Sequence, residues 1–186
     1  MKVTETAVRA LSELSDMISV VDEEAVGELT QAILKAGKIY VTGAGRSLLM
    51  LRGFAMRLMH LGLQSYIVGD TNTPAFEPGD LLIVGSGSGE TAFAAIVAQK
   101  AKKLGGTVAL FTIREKSTVA KLSDIVIRIP AYTDKAEEAG MKKSILPGAT
   151  TFEHAMLVLG DTMILPLAQE VGTPTDSAFV RHANLE

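Results

Sequence analysis

Leu81-Leu82-Ile83-Val84-Gly85-Ser86-Gly87-Ser88-Gly89-Glu90-Thr91 joins an apolar run to a turn rich in glycine and hydroxyl groups. Ala92 to Ala98 then reads as a helix. A short apolar run bounded by a turn predicts a buried strand, and strand–loop–helix is the repeating unit of a parallel sheet. Three glycines let backbone N–H groups approach a ligand, and Ser86, Ser88 and Thr91 add hydroxyl donors. The helix N-terminus brings unpaired N–H groups and positive partial charge, a combination suited to a phosphate monoester. A Ser88 cap on the helix would explain Ser88 alone, not Ser86 and Thr91 with three glycines. No Gly-Lys-Ser/Thr follows, so this is not a nucleotide P-loop.

Outward from this stretch, strands and helices alternate. Lys38–Thr42, Gln64–Val68, Thr107–Thr112 and Ile125–Ile129 read as further strands. Helices are expected over Leu48–Leu61, Glu90–Leu104 and Phe152–Val171, the last bent at Pro166, with a short one near Ser117–Leu122. Two more come first. One carries Val8, Leu11, Leu14, Ile18 and Val21 on one face, and Asp22 caps the other. The pattern predicts an α/β three-layer sandwich with a five-stranded parallel sheet in flavodoxin-like order. Residues 1–186 form one domain in this reading, with N-terminal helices and a polar C-terminal tail. Ligands of such sheets sit beyond the carboxyl ends of the strands, where both glycine-rich loops fall. Residues 130–147 read as a long polar loop, with a role at the site or mobility as its rationale.

The other glycine-rich loop, Gly43-Ala44-Gly45-Arg46-Ser47-Leu48, begins like a dinucleotide fingerprint, but Leu48 stands where the third glycine belongs. Asp70, at the end of the second strand, is the acid such a site would use. The alternative is a tight turn with Ser47 as helix cap. Arg46 either pairs with an acidic neighbour or contacts an anion.

A net charge of −3 argues against a broad nucleic-acid or anionic-membrane surface. Zero cysteines exclude disulfides, thiolate metal sites and cysteine nucleophiles. No His/Asp/Glu spacing matches a metal site. No apolar run reaches the roughly 20 residues of a membrane span, and Met1–Thr6 lacks a signal-peptide apolar region. A soluble cytoplasmic protein is the expectation.

Gly43–Ser47 followed by Ser86–Thr91 resembles the sugar isomerase (SIS) domain family, and the similarity extends over most of the chain. Phe54–His60, Phe152-Glu153 and His182–Glu186 are similar to a branch of that family that moves the carbonyl of a hex-3-ulose 6-phosphate from C3 to C2. The resemblance implies a sugar-phosphate substrate, supplied by a synthase that joins formaldehyde to ribulose 5-phosphate. It also implies a homo-oligomer, commonly a tetramer, with sites near subunit interfaces. By the same resemblance Ser47, Ser86, Gly87, Ser88, Gly89, Glu90 and Thr91 hold the phosphate, and Glu153 is the base. Isomerisation of arabinose 5-phosphate or sedoheptulose 7-phosphate, and a non-catalytic sugar-phosphate sensor, are the alternatives; the chain ends before the regulatory or DNA-binding segments such proteins often add.

Moving a carbonyl by one carbon passes through an enediol. One carboxylate can transfer both protons on one face of a cis-enediol, without metal or redox cofactor. From spacing alone, Thr150-Thr151-Phe152-Glu153 reads as a capping box before an apolar helix; the cap and the base can both hold in part, because a helix N-terminus near the strand edges is a good place for a carboxylate. His182 is the candidate acid for the carbonyl oxygens, reaching a neighbouring subunit; the alternative is an exposed tail residue. His60 fits a packed or helix-terminal histidine. His154, next to Glu153, points elsewhere on a helix.

Overall fold

Five strands pair in parallel in the order β2-β1-β3-β4-β5 in a computed structural model that describes residues 2–133, 143–173 and 181–185. They are β1 (Ile39–Gly43), β2 (Ser65–Ile67), β3 (Leu81–Gly85), β4 (Thr107–Thr112) and β5 (Ile125–Arg128). The order is the flavodoxin-like one, with its reversal between β1 and β3. Alternate residues of each inner strand enter opposite cores. Ile39, Val41, Leu81, Ile83, Ala109 and Phe111 join one, and Tyr40, Leu82, Val84, Val108 and Leu110 the other. Burial on both faces is why these strands are continuously apolar. Each large side chain removed from water stabilises the fold by about 1.5–3 kcal/mol.

Helices α1 (Val3–Ile18), α2 (Glu23–Lys35), α3 (Gly45–His60) and α5 (Thr150–Glu170) pack over the first core. Helix α4 (Ala92–Lys103) and the 3-10 turn Ala120–Leu122 cover the second. Pro166 lies within α5, which continues to Glu170. Asp22 caps α2 as expected, accepting from the Glu24 N–H at 3.0 Å. Of the loop expected over 130–147, residues 134–142 lie outside the described residues, as do 174–180 of the tail. No helix among the described residues is long and apolar enough to cross a membrane.

Two close approaches bring α3 and α5 together at the carboxyl end of the sheet. Gly85 ends β3 beneath both helices: a Cβ there would stand 2.9 Å from Leu51 Cδ1 and 3.1 Å from Met156 Sδ. One turn further along each helix, Gly160 lies against the Phe54 ring, where a Cβ would approach to 3.1 Å. Small residues at these points set the N-termini of α3 and α5 side by side.

Candidate active site

The cleft begins where β1 and β3 end in register, Gly43 opposite Gly85. A Cβ on Gly43 would stand 2.9 Å from the Gly85 carbonyl oxygen and 3.2 Å from Leu48 N, so the first turn of α3 rests directly on the strand ends. The cleft has a volume of about 840 Å³. Gly45, Arg46 and Ser47 form one wall, Ser86, Gly87, Ser88 and Thr91 a second, and Pro147–Thr150 with Glu153 a third.

Three helices therefore point their N-termini at one space, and none has a side-chain cap. The caps read from local spacing are not formed. Helix α3 starts at Gly45, so Ser47 lies inside its first turn rather than at its cap. Helix α4 starts at Ala92, with Thr91 at the cap position, and Ser88 accepts instead from the Glu90 N–H at 3.2 Å. Helix α5 starts at Thr150, whose hydroxyl donates to the Pro147 carbonyl at 2.6 Å. The capping box is not formed because Ala149, not Thr150, takes the cap position, and Glu153 accepts instead from Arg46 Nε. Uncapped first-turn N–H groups need a partner, and an anionic ligand supplies one.

The Ser86–Thr91 loop is held by its own hydroxyls. Ser86 Oγ accepts from the Gly89 N–H at 3.1 Å and lies 3.0 Å from Thr91 Oγ1. The Ile113 and Val119 N–H groups donate to the Gly87 and Gly89 carbonyls, both at 3.0 Å, and fasten the loop from behind. The Glu90 carboxylate is held by the segment behind the loop. It turns out of the cleft and accepts from the Thr118 N–H at 2.9 Å and the Thr118 hydroxyl at 2.6 Å, which holds its pKa below the usual carboxylate value. A carboxylate facing a phosphate would repel it; placed behind, it braces the loop.

Glu153 is largely buried, its side chain 12% exposed, whereas its partner Arg46 is 54% exposed. The acid expected of a dinucleotide site, Asp70, accepts instead from Arg52 at 2.8 Å. His182 lies at the other end of α3, its ring stacked on His60 with centroids 5.1 Å apart. Helix α3 is about 20 Å long, so within one chain His182 is remote from Glu153. His60 is buried, which together with the nearby His182 and Arg57 holds its pKa below the ordinary histidine value. Among the described residues no group of three or more His, Asp and Glu side chains is placed to hold a metal ion.

Residues that local pattern did not single out complete the site. Thr133 and the Pro147–Ala149 turn line the cleft. Glu13 of α1 reaches the segment before that turn, accepting from the Ser144 hydroxyl at 2.7 Å and the Ile145 N–H at 3.2 Å. These partners lie far from Glu13 in sequence, and no periodicity signals them.

The SIS domain profile matches residues 32–158, the stretch that holds the sheet and all three helix N-termini. The chain is 42% identical to a 3-hexulose-6-phosphate isomerase of Bacillus subtilis, with 100% of both chains covered. It is 40% identical to another from Mycobacterium gastri, covering 94% of this chain and 86% of the relative. A crystal structure of a Methanococcus jannaschii protein, inferred to be a 3-hexulose-6-phosphate isomerase, superimposes with a TM-score of 0.80 at 34% identity over 97% of each chain.

Proposed function

The chain belongs to the SIS domain family, and from that premise we propose that it isomerises D-arabino-hex-3-ulose 6-phosphate to D-fructose 6-phosphate. It is an enzyme, an intramolecular ketose isomerase. The observation that carries this reading is one cleft that joins uncapped helix N-termini to a single carboxylate, in a chain that aligns end to end with a 3-hexulose-6-phosphate isomerase.

Ser47, Ser86, Gly87, Ser88, Gly89 and Thr91 hold the phosphate, with Glu90 keeping the loop in shape through Thr118. A five-membered ring in a 3-ulose would need the oxygen on C6, which phosphorylation blocks. The substrate is therefore open-chain, and no acid for ring opening is required. Glu153 takes the proton from C2, the C2–H electron pair forms the C2–C3 double bond, and the carbonyl pair moves to O3. The same carboxyl returns the proton to C3 from the same face of the cis-enediol, while the hydroxyl proton passes from O2 to O3. We assign that second transfer to His182 of another subunit in a homo-oligomer, a tetramer by family likeness. In the same reading the substrate is supplied by a 3-hexulose-6-phosphate synthase, and the enzyme acts in the cytoplasm, in the ribulose monophosphate pathway of formaldehyde fixation.

The test generates the substrate in situ from formaldehyde and ribulose 5-phosphate with a separate synthase and follows fructose 6-phosphate. Turnover without added metal is expected. Binding without turnover points to another sugar phosphate or to a sensor, and a folded protein that neither binds nor turns over overturns the reading. For His182, Glu153→Gln and His182→Gln subunits refolded together should regain activity that neither has alone. Mixed oligomers as inactive as their parents would remove His182 from the chemistry.

A further inference from the structure

Among the described residues that line the cleft, just two are charged, Arg46 and Glu153, and they meet each other. The manner of their meeting is informative. Arg46 uses Nε, on the side of its guanidinium, to hold Glu153 Oε2. Its terminal nitrogens make no other contact among the described residues, and neither does Glu153 Oε1. A guanidinium carries five N–H donors in a planar fork, so the side facing Glu153 leaves the forked end available. Among the described residues, the pair thus presents one basic oxygen and one planar donor edge without another partner.

We propose that Arg46 is a catalytic residue of this isomerisation, its terminal N–H groups bridging O2 and O3 of the substrate as the cis-enediolate forms. The inference rests on the proposed function. When Glu153 takes the C2 proton, negative charge gathers on O3. In a cis-enediol O2 and O3 are coplanar and on the same side of the double bond. That is the pairing a guanidinium fork fits in bidentate fashion and a lysine ammonium does not. In the open-chain ketose C2 is tetrahedral and rotates about the C2–C3 bond, so O2 is not held coplanar with the C3 carbonyl, and O3 carries no negative charge. The fork therefore fits the enediolate better than the ground state, the condition for acceleration rather than mere binding. Arg46 keeps its proton throughout. It stabilises charge and fixes the carboxylate beside it, and the proton balance stays with Glu153 and the O2-to-O3 transfer.

The position supports the role. Arg46 stands in the first turn of α3, three residues after Gly43, whose close approach to the Gly85 carbonyl and Leu48 N seats that helix on β1 and β3. Glu153 stands in the first turn of α5. The contact of Gly160 with Phe54, two turns along both helices, sets the spacing between them.

The experiment compares wild type, Arg46→Gln and Arg46→Lys for turnover of hex-3-ulose 6-phosphate, and for binding of fructose 6-phosphate and of a planar hydroxamate analogue of the 2,3-enediolate. Arg46 is exposed enough that both variants should fold. Arg46→Gln should lower kcat by about 10²–10³, change fructose 6-phosphate affinity by less than about threefold, and weaken the hydroxamate in step with kcat/KM. Arg46→Lys should recover less than about a tenth of the loss, because it restores charge without the fork. Three results would overturn the proposal: Arg46→Gln with near-normal kcat, equal weakening of both ligands, or full rescue by lysine. A wild-type protein without turnover overturns the proposed function instead, and this inference with it.

Discussion

The loops after β1 and β3 start from glycines in register, yet they are built in opposite ways. After Gly43 a single residue, Ala44, precedes α3, and Arg46 extends across the gap to a different helix. After Gly85 six residues precede α4, and they are bonded to one another and to the segment behind them. One loop delivers a long, half-exposed cation; the other is a cradle with little freedom. The difference separates two tasks. The phosphate does not react, so its site is best rigid and equally good for every state along the path. The groups at C2 and C3 must favour the enediolate, and in the proposed reaction the charged pair serves them.

The largest predicted effect tests that division directly. Glu153→Gln should lower kcat by about 10³, within the range for losing a positioned proton-transfer group, and leave fructose 6-phosphate binding nearly intact. Loss of affinity on the same scale, by calorimetric titration, would show that the two tasks are not separated.

Next comes the contrast in rigidity. Gly89 has φ of +64°, and a Cβ there would fall 2.0 Å from Ser117 Oγ. Gly89→Ala should cost about 2–5 kcal/mol, combining left-handed backbone strain with overpacking. Gly45 has a similar φ of +54° but open space around it. Gly45→Ala should cost about 1 kcal/mol. Urea denaturation of the two variants measures the gap; equal costs would mean that the cradle is no more tightly built than its neighbour.

A polar counterpart follows on a smaller scale. Ser86→Ala removes the side-chain acceptor of the Gly89 N–H, which keeps the Ser86 carbonyl at 3.1 Å, and removes the partner of Thr91. It should cost about 1 kcal/mol of stability and raise KM about tenfold with kcat little changed, as expected for lost uniform binding. A fall in kcat with unaltered KM would transfer Ser86 from the cradle to the chemistry.

Sheet order and strand positions were legible because buried parallel strands are apolar runs and glycines end them: β3 and Gly85 are the plainest case. The Asp22 cap was legible because its partner is two residues away. Thr150-x-x-Glu153 had the same kind of local pattern and misled: α5 takes Ala149 as its cap, one residue before the pattern places it, and Glu153 meets a cation 107 positions earlier in the chain. The Glu90 carboxylate likewise went to Thr118, and Glu13 to Ser144 and Ile145, in contacts that only the folded chain creates. Candidate residues were readable from composition and spacing. Their partners were not, and in this cleft the partners decide whether a carboxylate braces a loop or faces the substrate.

The smallest effect concerns the end of α3 remote from Arg46. Burial and the neighbouring His182 and Arg57 hold the His60 pKa below its unfolded value, about 6.5. Below that value the unfolded chain takes up a proton that folded His60 refuses. Stability should therefore be fully present above about pH 7 and decline as pH falls through 6.5 toward the folded pKa, by at most about 1.4 kcal/mol per pH unit. His60→Leu should remove this component, so the stability difference between variant and wild type should be flat above pH 7 and change in the variant's favour toward pH 5. Helix α3 places His60 about 20 Å from Arg46, so any change in the variant's kcat at pH 7 reports on His182, which stacks on His60. Parallel pH profiles of the two proteins would assign the acid sensitivity elsewhere. A kcat that follows the stability curve would mean that the two ends of α3 are coupled, and that the division between binding and chemistry at its N-terminus depends on how its C-terminus is held.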